Sequence, residues 1–524
     1  MLRHLVAIKS GNSSAFAGPA AVRWRSVQAQ PQAQSDVGVD PEWANALPYE
    51  KIPRPGVLKM LMGFVPGGRY HDINIMELHR RFREDYGNLV IFPGAFGRKD
   101  TVVSYSPDDY QKLFRAEGQW PNRRGLDTFT YYRNNVRPDV FKGMGGLVNE
   151  QGENWHHFRT IVNPVMLQPK TVRLYVDKLD EISREFMGII RDLRDEKNEL
   201  PGDFNLWLNR WALEMIGVLA LDTRLGVLKK DVSQDSSNII KHVREVFELI
   251  YQLDMMPSIW KYYKTPSFKR LMVVLDELTR IIMSKVDEAV IRLDKNPSAS
   301  SDSQSVLEKL LKVDRHVAVV MALDMLIAGV DTTASGTIGI LYCLAKNPDK
   351  QDKLREELRT ILPNKDSPLT PDNMRNLPYL RACIKEGLRL YPPTAGNIRA
   401  AGKDLVLQGY QIPKGTDVAM ASVIMYTEDR HFARGTEFLP ERWLKDTAGC
   451  PSGKDAHPFL FLPFGFGPRT CIGRRLAMME MEMVVARVTR QFEYRWNYDE
   501  LKIMSVLVNI PVNELRFQMV EVDS

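Results

Sequence analysis

The run Phe464-Gly-Phe-Gly-Pro-Arg-Thr-Cys471-Ile-Gly473 sets one cysteine among three glycines, a proline and an arginine. Gly465, Gly467 and Gly473 let the backbone turn tightly and come close to a flat ligand, which side chains would prevent. A sulfur held among backbone N–H groups and near Arg469 is expected to carry charge as the thiolate, the form that ligates a metal. The helix expected to begin beside Cys471 adds the positive end of its dipole. The bland alternative is a buried structural cysteine in a glycine-rich loop. A chance match to F-x-x-G-x-R-x-C-x-G is on the order of one in ten thousand, set against the false-positive risk of any short motif. The other cysteines, Cys343, Cys383 and Cys450, complete no CxxC pair and no even framework, which argues against a disulfide-stapled domain and a structural zinc site.

Upstream, three weaker patterns occur. Glu386-Gly-Leu-Arg389 puts a carboxylate and a guanidinium one helical turn apart, a spacing that alone means only a surface ion pair. Ala328-Gly-Val-Asp331-Thr332-Thr333 lies inside an apolar helical run, roughly 318–344, where an Asp is expensive to bury without a partner. Gly329 is expected to remove a side chain where that helix passes close to a ligand, and a hydroxyl there to open the hydrogen-bond ladder. Trp155 and Arg159 fall four apart on one helix face, with His156 and His157 as incidental neighbours.

Taken with the cysteine run, these motifs resemble the cytochrome P-450 superfamily, the haem-thiolate monooxygenases, over essentially all of residues 41–524. The resemblance implies a mainly α, single-domain fold with small β-sheets, the family's prism, and haem b (iron protoporphyrin IX) bound through Cys471 as axial iron ligand. Phe464, Gly467, Arg469 and Gly473 would belong to the cofactor loop, and Trp155, Arg159, Arg399 and Arg469 would bind haem propionates. Thr332 would hold the oxygen and its water by hydrogen bonds, with Asp331 as proton relay. Arg442, in Pro440-Glu-Arg-Trp443, would join Glu386 and Arg389 in a structural network behind the cysteine loop. Arg381, Lys385, Arg474 and Arg475 resemble the basic sites by which mitochondrial members dock an acidic iron–sulfur ferredoxin. The chain as a whole, with Glu117-Gly-Gln-Trp-Pro-Asn-Arg123, looks most like the mitochondrial branch in insects.

Composition agrees with a large globular core: of 524 residues, 44% are hydrophobic and 26% charged. Residues 1–35 contain Arg3, Lys9, Arg23 and Arg25, several Ser and Ala, and no acid before Asp36. That reads as a mitochondrial transit peptide, leaving 36–524 as the catalytic domain. Without those four cations the formal net charge falls from +6 to +2, so the basic balance gives no support to nucleic-acid binding. Helical periodicity marks 73–86, 172–194, 204–221 and 270–293. Strands are expected at 89–92, 101–104, 405–411 and in the last twenty residues, where Pro511 should mark a hairpin tip. Two stretches, 57–65 and 255–263, mix aliphatic, Met and aromatic residues with lysines and suit peripheral seating on a bilayer, although core packing would explain either one alone.

No P-loop, HExxH, GxSxG or complete dinucleotide fingerprint occurs, and no flavin domain is appended. Electrons are therefore expected from a separate protein, a mitochondrial ferredoxin with its NADPH-dependent reductase, at the matrix side of the inner membrane. The expected reaction inserts one atom of O₂ into a lipophilic substrate: a foreign compound, a steroid or a terpenoid. The pocket is expected around 126–133, 246–256, 394–398 and 508–511. Competing readings are an electron-independent haem-thiolate isomerase or dehydratase, a non-catalytic haem carrier or sensor, and a haem-free structural protein.

Overall fold

The computed structural model describes residues 42–295, 300, 303–445 and 449–522. The segment read as a transit peptide lies outside the described residues. Ten helices matter to the site: α1 (Val57–Phe64), α2 (Ile75–Tyr86), α3 (Gly152–Met166), α4 (Val176–Leu193), α5 (Phe204–Leu221), α6 (Gln234–Ile250), α7 (Pro266–Lys295), α8 (Arg315–Lys346), α9 (Pro378–Leu390) and α10 (Arg474–Gln491). Their boundaries follow local chemistry. Asn74 caps α2 by accepting from the Glu77 N–H at 2.8 Å, and Gly87 with φ of 91° ends it. Asp314 caps α8 through the His316 N–H at 2.6 Å. The helix expected from residue 172 starts later, at Val176, because a separate short turn, Pro169–Arg173, precedes it.

α8 is buried nearly all round, so its apolar run is that of a core helix. Glycines let its neighbours approach. A Cβ on Gly387 of α9 would sit 3.0 Å from the Ile340 Cα, and one on Gly336 would meet Leu388 and Met481. Against expectation, Gly329 faces protein: a Cβ there would lie 2.7 Å from Cδ1 of Ile216 on α5. The glycine thus serves helix packing.

Strands β1 (Leu89–Phe92) and β2 (Thr101–Ser104) pair antiparallel, as their spacing predicts. With β3 (Asn397–Ala400), β4 (Leu405–Leu407), β5 (Tyr410–Ile412) and β6 (Asp417–Met420) in chain order, the main sheet runs β1-β2-β6-β3. The stretch at 405–411 is a hairpin of β4 and β5. Strands β7 (Phe492–Arg495) and β10 (Gln518–Glu521) pair, and so do β8 (Ile503–Val506) and β9 (Val508–Pro511). Pro511 is not the tip of that last hairpin. It ends β9 opposite Ile503, and the turn is made by Leu507 at φ 82°. A proline, lacking an N–H, is tolerated at a strand end, where no ladder bond is lost.

Candidate active site

The cysteine loop is built by its own backbone. The Cys471 N–H donates to the Phe464 carbonyl at 2.9 Å, and the Thr470 N–H donates to Gly467 at 3.0 Å. Gly467 sits at φ 72°, and a Cβ there would strike the Glu117 carboxylate. α10 starts three residues after the cysteine, as expected, and the Gly473 N–H faces the sulfur. Burial pushes the Cys471 thiol up, while that N–H and the guanidiniums of Arg159, Arg123 and Arg474 pull it down. Arg469, which the sequence assigns to stabilising the thiolate, is turned away. Its Nε donates to the Pro121 carbonyl at 2.8 Å and Nη2 reaches Gln151 at 3.1 Å. The side chain of Cys471 is itself exposed.

Beside it converge the arginines. Trp155 and Arg159 are both buried on α3, and Arg159 donates to the Thr470 carbonyl at 3.0 Å. Arg469 lies over the Trp155 ring, 4.2 Å from its centroid. Arg399 on β3 pairs with buried Glu117 at 2.7 Å. A fourth member is Arg123, which nothing local in the sequence marks. Burial first, then Arg399 and Arg159, push its guanidinium down to about 10. Burial, Arg123 and Arg399 push that of Arg469 down to about 8. Four cations thus face two carboxylates, Glu117 and Glu150. Nη1 of Arg469, Nε of Arg159 and Oε1 of Glu117 are buried with no partner. Such a site has a deficit of negative charge, and a haem with two propionates beside a thiolate-bound iron fits it.

On α8 the described burial breaks along one stripe. Ala328 is exposed, and Asp331, Thr332 and Ser335 are half-buried, in a helix otherwise enclosed. Positions 328, 331, 332 and 335 share a face, so the less buried residues form one stripe. α8 stays helical throughout. The Thr332 hydroxyl donates to the Ala328 carbonyl at 2.7 Å and leaves the ladder closed. With its hydrogen so used, its lone pairs remain to accept. Burial raises the Asp331 carboxyl to about 6, with Arg244 opposing and Glu248 adding. Behind the stripe, Thr333 donates to Glu480 of α10 at 3.1 Å, and burial holds that carboxyl up at about 8.

Glu386, Arg389 and Arg442 form one buried cluster. Glu386 receives Arg389 at 2.7 Å and 2.9 Å and Arg442 at 2.8 Å, all fully buried. Trp443 Nε1 adds a bond at 2.9 Å, which the sequence reading did not assign. Of the basic residues assigned to docking, Lys385, Arg474 and Arg475 are exposed. Arg381 is largely committed: it pairs with Glu482 at 2.9 Å and donates to the Met374 and Arg375 carbonyls. His156 and His157 lie half-buried and exposed on α3, turned from Trp155.

The family model for cytochrome P450 matches residues 53–515. The chain belongs to the cytochrome P450 family. Cytochrome P450 CYP12A2 of Musca domestica is 44% identical over 95% of this chain and 96% of its own length. Cytochrome P450 12b1, mitochondrial, of Drosophila acanthoptera is 44% identical over 87% of each chain. A third relative, from Drosophila melanogaster, is named probable cytochrome P450 12a5, mitochondrial, at 44% identity over 93% of this chain and 94% of its own. As a cytochrome P450 the protein is a haem-thiolate monooxygenase with haem b as cofactor.

The two apolar segments both expose what a bilayer would take. Val57, Leu58 and Met62 of α1 and the following Val65 project outward, as do Ile259, Tyr262 and Tyr263. Trp260 is buried and belongs to the core. The β1–β2 loop adds exposed Phe96, which no sequence pattern marks, and its Arg98 donates to the Leu253 and Met255 carbonyls. Among segments assigned to the pocket, Arg133 is turned into a buried pair with Asp324 of α8 at 2.6 Å. Thr128 bonds Asp254, whose carboxyl burial raises to about 6, tying 126–133 to the turn Tyr251–Met255 that follows α6.

Proposed function

We propose that this chain is a mitochondrial monooxygenase that inserts one atom of O₂ into a lipophilic substrate, with electrons from a ferredoxin and its NADPH-dependent reductase. The observation that carries the reading is the pairing of an exposed Cys471, ringed by under-neutralised guanidiniums, with an open Asp331–Thr332 stripe on a neighbouring helix. When bound, the haem supplies the iron at which O₂ is cleaved, a step that thiolate ligation favours.

The chain's own residues do the rest. Cys471 Sγ would hold the iron. Arg123, Arg159, Arg399 and Arg469 would hold the propionates, with Arg469 lying over the Trp155 ring. Asp331, with a carboxyl near 6, takes and releases a proton close to neutral pH. Thr332, its hydrogen given to Ala328, accepts a hydrogen bond from the water that brings the proton. The balance is one O₂, two electrons and two protons, yielding hydroxylated product and water.

Substrates belong to the apolar classes: foreign compounds, steroids or terpenoids. Two of the three relatives described above are named mitochondrial, in keeping with residues 1–35 as a transit peptide, 36–524 as the catalytic domain, and work at the matrix side of the inner membrane. The exposed apolar residues of α1, the Phe96 loop and 259–263 support peripheral seating there. Lys385, Arg474 and Arg475 are the free cations for an acidic ferredoxin.

The carbon monoxide difference spectrum of the dithionite-reduced holoprotein tests the ligand. A red-shifted Soret band, lost in Cys471→Ser, is expected; the same band in that variant would place the ligand elsewhere. Turnover of a lipophilic substrate panel should require ferredoxin, reductase and NADPH. Rearrangement of a peroxide with no electron donor would favour an isomerase instead.

A further inference from the structure

A cleft of about 390 Å³ opens between the turn before α4, the segment before α9 and the first turns of α10. Five guanidiniums line it, those of Arg173, Arg375, Arg381, Arg474 and Arg475, against one carboxylate, Glu482. Arg381 and Glu482 neutralise each other at 2.9 Å, and Arg375 has a partner outside the lining, exposed Asp372, at 3.1 Å. Arg173, Arg474 and Arg475 form no ion pair among the described residues. The cleft also has an apolar floor, in which Met374 and Met479 are buried.

These features set it apart from an ordinary solvated charge patch. A flat basic surface spreads its cations into water, whereas a concave one holds several around a common volume, where their repulsion is relieved by an anion. Guanidinium forks present paired N–H donors at the spacing of a phosphate's oxygens. The methionine floor favours an anion carrying an apolar portion.

We propose that this cleft binds a phosphate-bearing anion, taken either from a soluble organic phosphate or from a phospholipid head group. The site itself does not depend on the electron donor. On the ferredoxin reading given above, an occupied cleft also competes with the donor, because Arg474 and Arg475 belong to both surfaces.

The test uses the full-length, haem-loaded ferric protein. Inorganic pyrophosphate is titrated calorimetrically at an ionic strength held constant with sodium chloride. Saturable binding is expected, weakened by about tenfold or more in the double variant Arg173→Gln/Arg375→Gln, which removes two charge-assisted donors. Lys230→Gln, an exposed cation elsewhere, should bind as wild type does. A second arm measures co-sedimentation with phosphatidylcholine vesicles with and without phosphatidic acid. Pyrophosphate binding that the double variant loses assigns a soluble anion. Loss confined to the phosphatidic acid vesicles assigns a head group. Absence of binding in both arms, or binding that the double variant leaves intact, overturns the proposal.

Discussion

Around Glu386, two guanidiniums meet one carboxylate, an indole N–H and several backbone carbonyls. Around Arg469, four guanidiniums meet two carboxylates and leave donors unpartnered. Both clusters are buried and both are rich in arginine. The first is complete: Arg389 also reaches the Gly435 carbonyl at 2.6 Å and the Glu437 carbonyl at 3.0 Å, and Arg442 reaches Ala433 at 3.2 Å. The second is complete only when something negative is added. A buried network that closes on itself holds a fold, and one that stays short of counter-charge marks where a ligand belongs.

Glu386→Ala should break the closed cluster with the largest effect, about 3–5 kcal/mol, since it leaves two buried guanidiniums uncompensated. Urea unfolding would show it, or failure to obtain folded holoprotein. Arg469→Leu should act in the opposite sense. Haem affinity should fall by about ten- to a hundredfold for loss of a charge-assisted contact, measured by haem transfer to apomyoglobin. The haem-free variant should unfold at or above the wild-type temperature, because one of four mutually repelling cations has gone. A destabilised apoprotein would mean that the second cluster is structural like the first.

Asp331→Asn probes the open stripe. In the wild type, the protonated fraction of a carboxyl near 6 falls as pH rises through that value, so turnover should decline on that limb. The variant should be slower by about ten- to a hundredfold and lack the limb. Glu480→Gln carries a smaller effect on stability. The unfolded chain releases that proton near 4.5, and the folded one keeps it to about 8. Wild-type stability should therefore fall between those values, and the variant, holding no such proton, should be relatively more stable at pH 8 and above. Thermal unfolding across that range measures the difference. The least effect belongs to Lys385→Ala, an exposed charge. The ferredoxin concentration for half-maximal turnover should rise by about two- to threefold at low salt, and less when screened.

Much of the site was legible in the sequence because its chemistry is local. Cys471 lies within a few residues of the glycines that shape its loop, and Trp155 and Arg159 are one helical turn apart. Glu386 and Arg389 are three apart, so a helix alone brings them together. The turn at Leu507 was missed because its positive φ has no glycine to announce it. Arg123 was missed for a different reason: its surroundings come from α3, α8, β3 and the cysteine loop, far along the chain.

The sequence by itself determined the glycine-lined Cys471 loop, the adjacent Asp331 and Thr332, the Glu386–Arg389 spacing and the periods of the main helices, each a matter of residue type at short spacing. Tertiary structure decided the direction of each charge. It turned Gly329 toward Ile216, spent Arg381 on Glu482, and aimed Arg469 at carbonyls near Trp155. It also gathered four cations about two acids. Periodicity and spacing act within a turn of chain, whereas burial and counter-charge depend on segments hundreds of residues apart, and only packing brings those together.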